Sequence, residues 1–174
     1  MSLIRGKLNR KTCQSRARRM MNSKDKGNIG EAVFMAEMIK QGCIVSKPFG
    51  DNARYDFIVD VGGKLLKFQV KYCNSINENQ GIVCPCASST NHTTNKHYST
   101  YENDVDYMAF YIAPYDKLAI VSLKEIGNKK SIVLRNEKPL NGQTEGIKYI
   151  DDYSISHFLC VETLHDKPKE EFQG

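Results

Sequence analysis

Residues 54–72, Arg-Tyr-Asp-Phe-Ile-Val-Asp-Val-Gly-Gly-Lys-Leu-Leu-Lys-Phe-Gln-Val-Lys-Tyr, constrain the fold more than any other stretch of this 174-residue chain. Two arms rich in β-branched and aromatic residues flank Gly62-Gly63. A glycine pair supplies the positive φ angles of a tight primed turn, so the segment is expected to form a β-hairpin. Side chains alternate between the faces of a strand, which places Leu66, Phe68, Val70 and Tyr72 on one face and Leu65, Lys67, Gln69 and Lys71 on the other. The same parity groups Arg54, Asp56 and Ile58 on the first arm. An Asp, a Gln and a Lys near the same ends of paired strands form a polar cluster on an otherwise apolar sheet, and that cluster is the candidate site.

Around the hairpin the chain reads as one α/β unit. Ile29, Val33, Ala36 and Ile39 recur at helical spacing after the turn chemistry of residues 24–28, and Gly42 is a natural stop. Glu31 falls in the first turn of that helix, where the helix dipole favours a carboxylate. Residues 43–47 and 81–87 read as short strands, 105–113 and 117–123 as a second hairpin, 124–128 as a helical turn, and 131–134 as a last strand. Residues 153–164 are a short helix or strand, and 139–146 a loop. Residues 88–103, all polar groups and tyrosines without periodicity, are expected to be a long loop. No repeat or second domain is evident. The expected organisation is a basic arm at 1–24, a domain at 25–165 and a charged tail at 166–174.

Charge is unevenly spread. Residues 1–26 hold nine Lys or Arg against the single acid Asp25, while the remaining residues hold sixteen basic and nineteen acidic side chains. The net +5 of the chain therefore lives in its N-terminal arm. Such an arm is suited to a polyanion, most simply nucleic acid, where each neutralised phosphate releases counterions; a solvated tail is the alternative. Arg10, Lys11, Arg16, Arg18, Arg19, Lys24, Lys26 and Arg54 are the candidate DNA contacts. No apolar run is long enough to span a membrane and no signal-peptide core is present, so an intracellular, cytoplasmic and nucleoid-associated protein is expected. The six cysteines are scattered, which favours reduced thiols over a disulfide framework.

Holding a divalent cation beside a phosphodiester needs a carboxylate, further oxygen donors and a nearby cation for developing charge. Asp56 supplies a bridging carboxylate, Gln69 an amide oxygen, Val70 a main-chain carbonyl, and Glu31 a second carboxylate if its helix packs across the sheet. Lys71 shares a face with Gln69 and could orient or deprotonate water, or stabilise the transition state. The competing reading is a solvated strand face.

The order Glu31, Asp56, Gln69-Val70-Lys71 resembles the PD-(D/E)XK nuclease superfamily, in which a helix carboxylate precedes a hairpin bearing the Asp and an (E/D/Q)-X-K strand. More narrowly it resembles the branch of homing endonucleases encoded in group I introns, where Gln replaces the usual acid. Residues 26–32, 53–56, 68–71, 104–109 and 140–143 all resemble blocks of that branch, together spanning about 25–155. The resemblance implies a PD-(D/E)XK (restriction-endonuclease-like) α/β core with a mixed central β-sheet flanked by helices. It also implies a metal-dependent DNA endonuclease, homing or restriction-like, using Mg²⁺ or Mn²⁺ and acting as a homo-oligomer, dimer or tetramer. Glu31, Asp56 and Gln69 would hold metal with the Val70 carbonyl, and Lys71 would assist the nucleophile. Tyr72-Cys73 after the triplet is a departure, since a small polar residue is expected there.

Other readings compete. A Holliday-junction-type resolvase or a non-catalytic DNA-binding module would keep the fold and the basic arm, and a protein-interaction domain would need neither. Cys84, Cys86, His92 and His97 are ligand types for zinc, although Cys-Pro-Cys is tighter than the usual spacing. Asp104 and Asp106 are expected to cap or solvate a strand rather than bind metal. Tyr98 and Tyr101 either stack on bases or anchor the polar loop.

Overall fold

The computed structural model describes residues 21–50, 52–92, 95–138 and 145–164, with side chains described for all of these except 89–92 and 95–98. Its elements are α1 (Ser23–Lys40), β1 (Ile44–Ser46), β2 (Phe57–Val61), β3 (Lys64–Cys73), β4 (Ile82–Pro85), β5 (Ala87–His92), β6 (Asn95–Thr100), β7 (Tyr107–Ile112), β8 (Lys117–Ser122), α2 (Leu123–Ile126), β9 (Ser131–Leu134), a 3₁₀ turn (Ile150–Tyr153) and α3 (Ile155–Leu164). Much of the proposed arm, residues 1–20, and the tail from 165 onward lie outside the described residues.

The hairpin forms as expected. Phe57 pairs with Phe68 and Val61 with Lys64, and the turn between them holds Gly62 at φ +62° and Gly63 at φ +92°. Both angles lie in the left-handed region that glycine enters without a Cβ penalty. The central sheet has five strands in the order β1-β2-β3-β7-β8. β3 and β7 run parallel and every other neighbouring pair is antiparallel, so the sheet is mixed.

Each face of this sheet carries its own core. On one, Phe57, Val59, Leu66, Phe68, Val70 and Ile120 pack against Phe34 and Met38 of α1 and Phe158 of α3. Phe68 is the hub, with ring centroids of Phe34 at 5.1 Å and of Tyr107 and Phe158 at 5.6 Å. On the other face, Cys73, Met108, Phe110, Ile112 and Val121 pack against Ile82 and Cys84 of β4, Ile132 and Leu134 of β9, Ile126 of α2 and Ile150 of the 3₁₀ turn. β4 and β9 pair antiparallel as a separate sheet. Glu162 is a buried acid held by Lys64 Nζ at 2.6 Å and by the Tyr107 hydroxyl, an ion pair that ties α3 to the start of β3.

Two expectations are corrected. α1 begins six residues before Ile29, because Asn22 and Asp25 form a capping box: the Asn22 side chain accepts the Asp25 amide and the Asp25 carboxylate accepts the Asn22 amide. Its buried face is Gly30, Phe34 and Met38, about one residue out of phase with the Ile29–Ile39 stripe, and Ile39 is exposed. Gly30 lies against β3, where a Cβ would make ordinary contact at 3.6 Å with Val70 and Tyr72 side-chain atoms. Residues 88–103 are not a long loop; β5 and β6 pair antiparallel from Ala87–Thr100 to His92–Asn95 as a two-stranded ribbon. With polar residues along both strands, that ribbon leaves no apolar alternation to read.

Candidate active site

The cluster sits where two strands part. β2 pairs with β3 only as far as Phe57–Phe68, so among the described residues 69–73 has β7 as its one strand partner. The chain leading into β2 is still anchored by the Asp56 amide donating to the Phe68 carbonyl at 2.8 Å. The Asp56 side chain then replaces the missing strand. Its Oδ2 accepts the Val70 main-chain amide at 2.7 Å and the Gln69 Nε2 at 2.5 Å.

These contacts orient the remaining oxygens. With its amide nitrogen committed to Asp56, Gln69 keeps its carbonyl oxygen for another partner. The N–H and C=O of one strand residue point to the same edge, so the Val70 carbonyl faces the gap that its amide faces. Glu31 follows Gly30, the residue seated on Val70 and Tyr72, and its charge is felt at Asp56. Burial pushes the Asp56 carboxyl above the ordinary aspartate range and the Glu31 charge pushes the same way, while the Val70 amide, Lys71 and Gln69 oppose them.

Lys71 lies on the same face, and its Nζ donates to the Tyr101 hydroxyl at 2.7 Å. The structure therefore brings Glu31, Asp56, Gln69, Val70 and Lys71 into one neighbourhood. The donors available are carboxylate, amide and main-chain oxygens, the hard set that suits Mg²⁺ or Mn²⁺. A divalent cation there would relieve the crowding of two carboxylates in a half-buried gap, so the residues present fit such an ion.

The other candidates divide. Arg10, Lys11, Arg16, Arg18 and Arg19 lie outside the described residues, whereas Lys24 and Lys26 ride on the first turn of α1, so the 24/25 boundary of the proposed arm falls inside a helix. Arg54 is engaged: its Nε meets Asp104 Oδ2 at 2.9 Å, and its Nη2 donates to Ser99 Oγ at 2.9 Å and the Thr100 carbonyl at 2.7 Å. Asp104 and Asp106 serve structure, as expected; Asp106 accepts the Lys67 amide at 2.8 Å. Cys84 and Cys86 are buried free thiols; the neighbouring Cys73 thiol and burial push Cys84 up from the ordinary cysteine value, and burial, with Cys73, pushes Cys86 up. The His92 and His97 side chains lie outside the described residues, and among those described no three His, Cys, Asp or Glu converge on a metal position.

Two residues at the site went unrecognised in the sequence. Lys47 Nζ pairs with Glu31 Oε2 at 2.6 Å and lies 5.5 Å from the Phe57 ring centroid. Its position between the helix and the hairpin was the available signal. The sequence offers Tyr101 as an anchor or a stacking group, and only the structure shows its bond to Lys71.

Among the described residues no helix is long and apolar enough to cross a membrane. A comparison with curated protein sequences found no match. Among solved structures, the chain is similar to that of a bacterial homing endonuclease, I-Ssp6803I, with a TM-score of 0.71 and 23% identity over 85% of this chain and 100% of that one. A family model described as PD-(D/E)XK endonuclease matches residues 21–156, which include Glu31, Asp56, Gln69 and Lys71. That match takes in all five strands of the central sheet and the residues at the parting of β2 from β3, so the chain belongs to the PD-(D/E)XK endonuclease family.

Proposed function

We propose that this protein is a metal-dependent endonuclease that hydrolyses phosphodiester bonds of DNA at specific sites. The observation that carries the reading is the Asp56 carboxylate, held by Gln69 and Val70 at a parted strand edge with the Glu31 charge beside it and Lys71 on the same face. Site specificity is supported by the likeness to a protein described as a homing endonuclease.

Each residue has a role that its position suits. Asp56, Glu31, Gln69 and the Val70 carbonyl would hold Mg²⁺, with Mn²⁺ as a substitute. When bound, the ion supplies Lewis-acid stabilisation of charge on the phosphate oxygens. Lys71 would orient the attacking water and steady the transition-state charge. The N-terminal basic residues, with Lys24 and Lys26, would neutralise DNA phosphates. The two strands of a duplex run in opposite directions and one such site cuts one strand, so the protein would act as a homo-oligomer with two-fold symmetry.

The test is cleavage of supercoiled, linear and four-way-branched DNA with Mg²⁺ and with Mn²⁺, comparing wild type with Asp56→Ala and Lys71→Ala. Cutting that needs the metal and disappears in both variants upholds the reading. Preference for the branched substrate would replace site-specific cleavage with junction resolution. Salt-sensitive DNA binding without cutting under either metal would make the protein a binding module.

A further inference from the structure

Lys71 is held from below by a residue that the nuclease reading does not use. Tyr101 follows β6, is 4% exposed, and accepts the Lys71 ammonium on its hydroxyl at 2.7 Å. Its ring is embedded in the core of the β4–β9 face with Cys84, Cys86 and Val105. Above the ring lies the Arg54 guanidinium, 5.4 Å from the centroid, itself fixed by Asp104, Ser99 and Thr100. Arg54 is two residues before Asp56. The 99–104 segment thus grips the chain on both sides of the gap, at Lys71 through Tyr101 and just before Asp56 through Arg54.

A lysine side chain has four flexible carbons and its ammonium sweeps a wide volume unless something fixes it. Within this site one rigid phenol, locked by packing and by the arginine above it, does so. We propose that Tyr101 is a positioning residue for DNA cleavage: its hydroxyl aims the Lys71 ammonium at the place where the water and the scissile phosphate meet. The inference rests on the nuclease reading above. The oxygen is the hydrogen-bond partner of Nζ, which also lies 5.0 Å from the ring centroid, so removing the hydroxyl alone separates the directional hydrogen bond from the ring contact and the packing. Of the three ammonium protons one is spent on Tyr101, and two remain for water and a phosphate oxygen. A supporting shell of this kind holds a reacting group within a narrow range of direction, and its loss lowers turnover without touching substrate affinity.

Tyr101→Phe removes the oxygen and keeps the ring. The full chain and the variant are compared by single-turnover cleavage of supercoiled plasmid in Mg²⁺ and in Mn²⁺, with DNA affinity measured by anisotropy without divalent metal. The expected result is a rate constant about ten- to a hundredfold lower, the span of a hydrogen bond to a charged group, with Kd unchanged. Equal rates, or a rate loss matched by weakened DNA binding, would overturn the inference while leaving the nuclease reading intact. A wild type that cuts no DNA removes the nuclease reading and the inference with it. A second measurement needs no variant: in the metal-free wild type, the Lys71 ammonium protons should exchange with water more slowly than those of exposed lysines by NMR, and exchange at the exposed rate overturns the proposal.

Discussion

The Asp56 carboxylate accepts the Val70 main-chain amide at 2.7 Å, taking the position that a strand carbonyl would fill had β2 continued alongside β3. One side chain thereby closes a sheet edge and lines a site. Such a substitution places a charge where burial and Glu31 both disfavour it.

The cost of that charge should be visible in the metal-free protein. Asp56 has a folded-state pKa raised above its unfolded value, so its contribution to stability is present below the unfolded pKa and is lost as pH rises through the folded one. Asp56→Asn keeps an oxygen for the Val70 amide and removes the ionisation. Thermal melts should show the variant melting higher than wild type at neutral pH, with the difference closing as pH falls below the ordinary aspartate range. Added Mg²⁺ should raise the wild-type Tm and leave that of the variant unmoved, since a ligand stabilises only the state that binds it. A variant that melts lower at neutral pH would show that the charge is not strained.

Lys47 and Glu31 form an exposed ion pair, with the lysine side chain 61% accessible, so its loss should cost at most about 1 kcal/mol of stability. Its effect on metal should be larger in proportion. The ammonium competes with a divalent cation for the same carboxylate, and Lys47→Ala is expected to bind Mn²⁺ several-fold more tightly in a calorimetric titration. The gain should shrink as salt is added. Unaltered affinity would mean that Lys47 leaves Glu31 when metal arrives.

The sequence groups Arg54 with the candidate DNA contacts, yet its guanidinium is occupied by Asp104, Ser99 and Thr100. Arg54→Ala should therefore lower stability, by about 1–2 kcal/mol for charged hydrogen bonds at a partly exposed position. It should leave the slope of log K against log salt for DNA binding unchanged. Arg16→Ala and Arg18→Ala should each flatten that slope by about one unit if the basic arm meets phosphates. A flattened slope in Arg54→Ala would restore it to the DNA-contacting set.

Phe68 and Leu65 test the hairpin parity in the fold itself. Phe68 is fully buried among Phe34, Tyr107 and Phe158, whereas Leu65 is 66% exposed on the opposite face. Urea unfolding should show Phe68→Ala losing about 3–5 kcal/mol and Leu65→Ala within about 0.5 kcal/mol of wild type. Similar losses at both positions would contradict the register.

Sequence alone determined the hairpin, its turn, the face shared by Asp56, Gln69 and Lys71, and the segregation of basic charge. All of these follow from alternation of side chains, from the φ angles glycine permits, or from counting charges, which are local properties of the chain. Tertiary structure decided the rest. The start of α1 depended on a reciprocal pair of hydrogen bonds, and its buried face on packing against β3, where Gly30 lies. The β5–β6 ribbon carries no apolar period in its sequence, so its strand pairing was not legible there. The parting of β2 from β3, the Lys47 partner of Glu31 and the Tyr101 oxygen beneath Lys71 join residues separated by 14, 16 and 30 positions. Contacts of that separation exist only once helix, hairpin and ribbon have docked, and no local pattern in the chain encodes which side chains then meet.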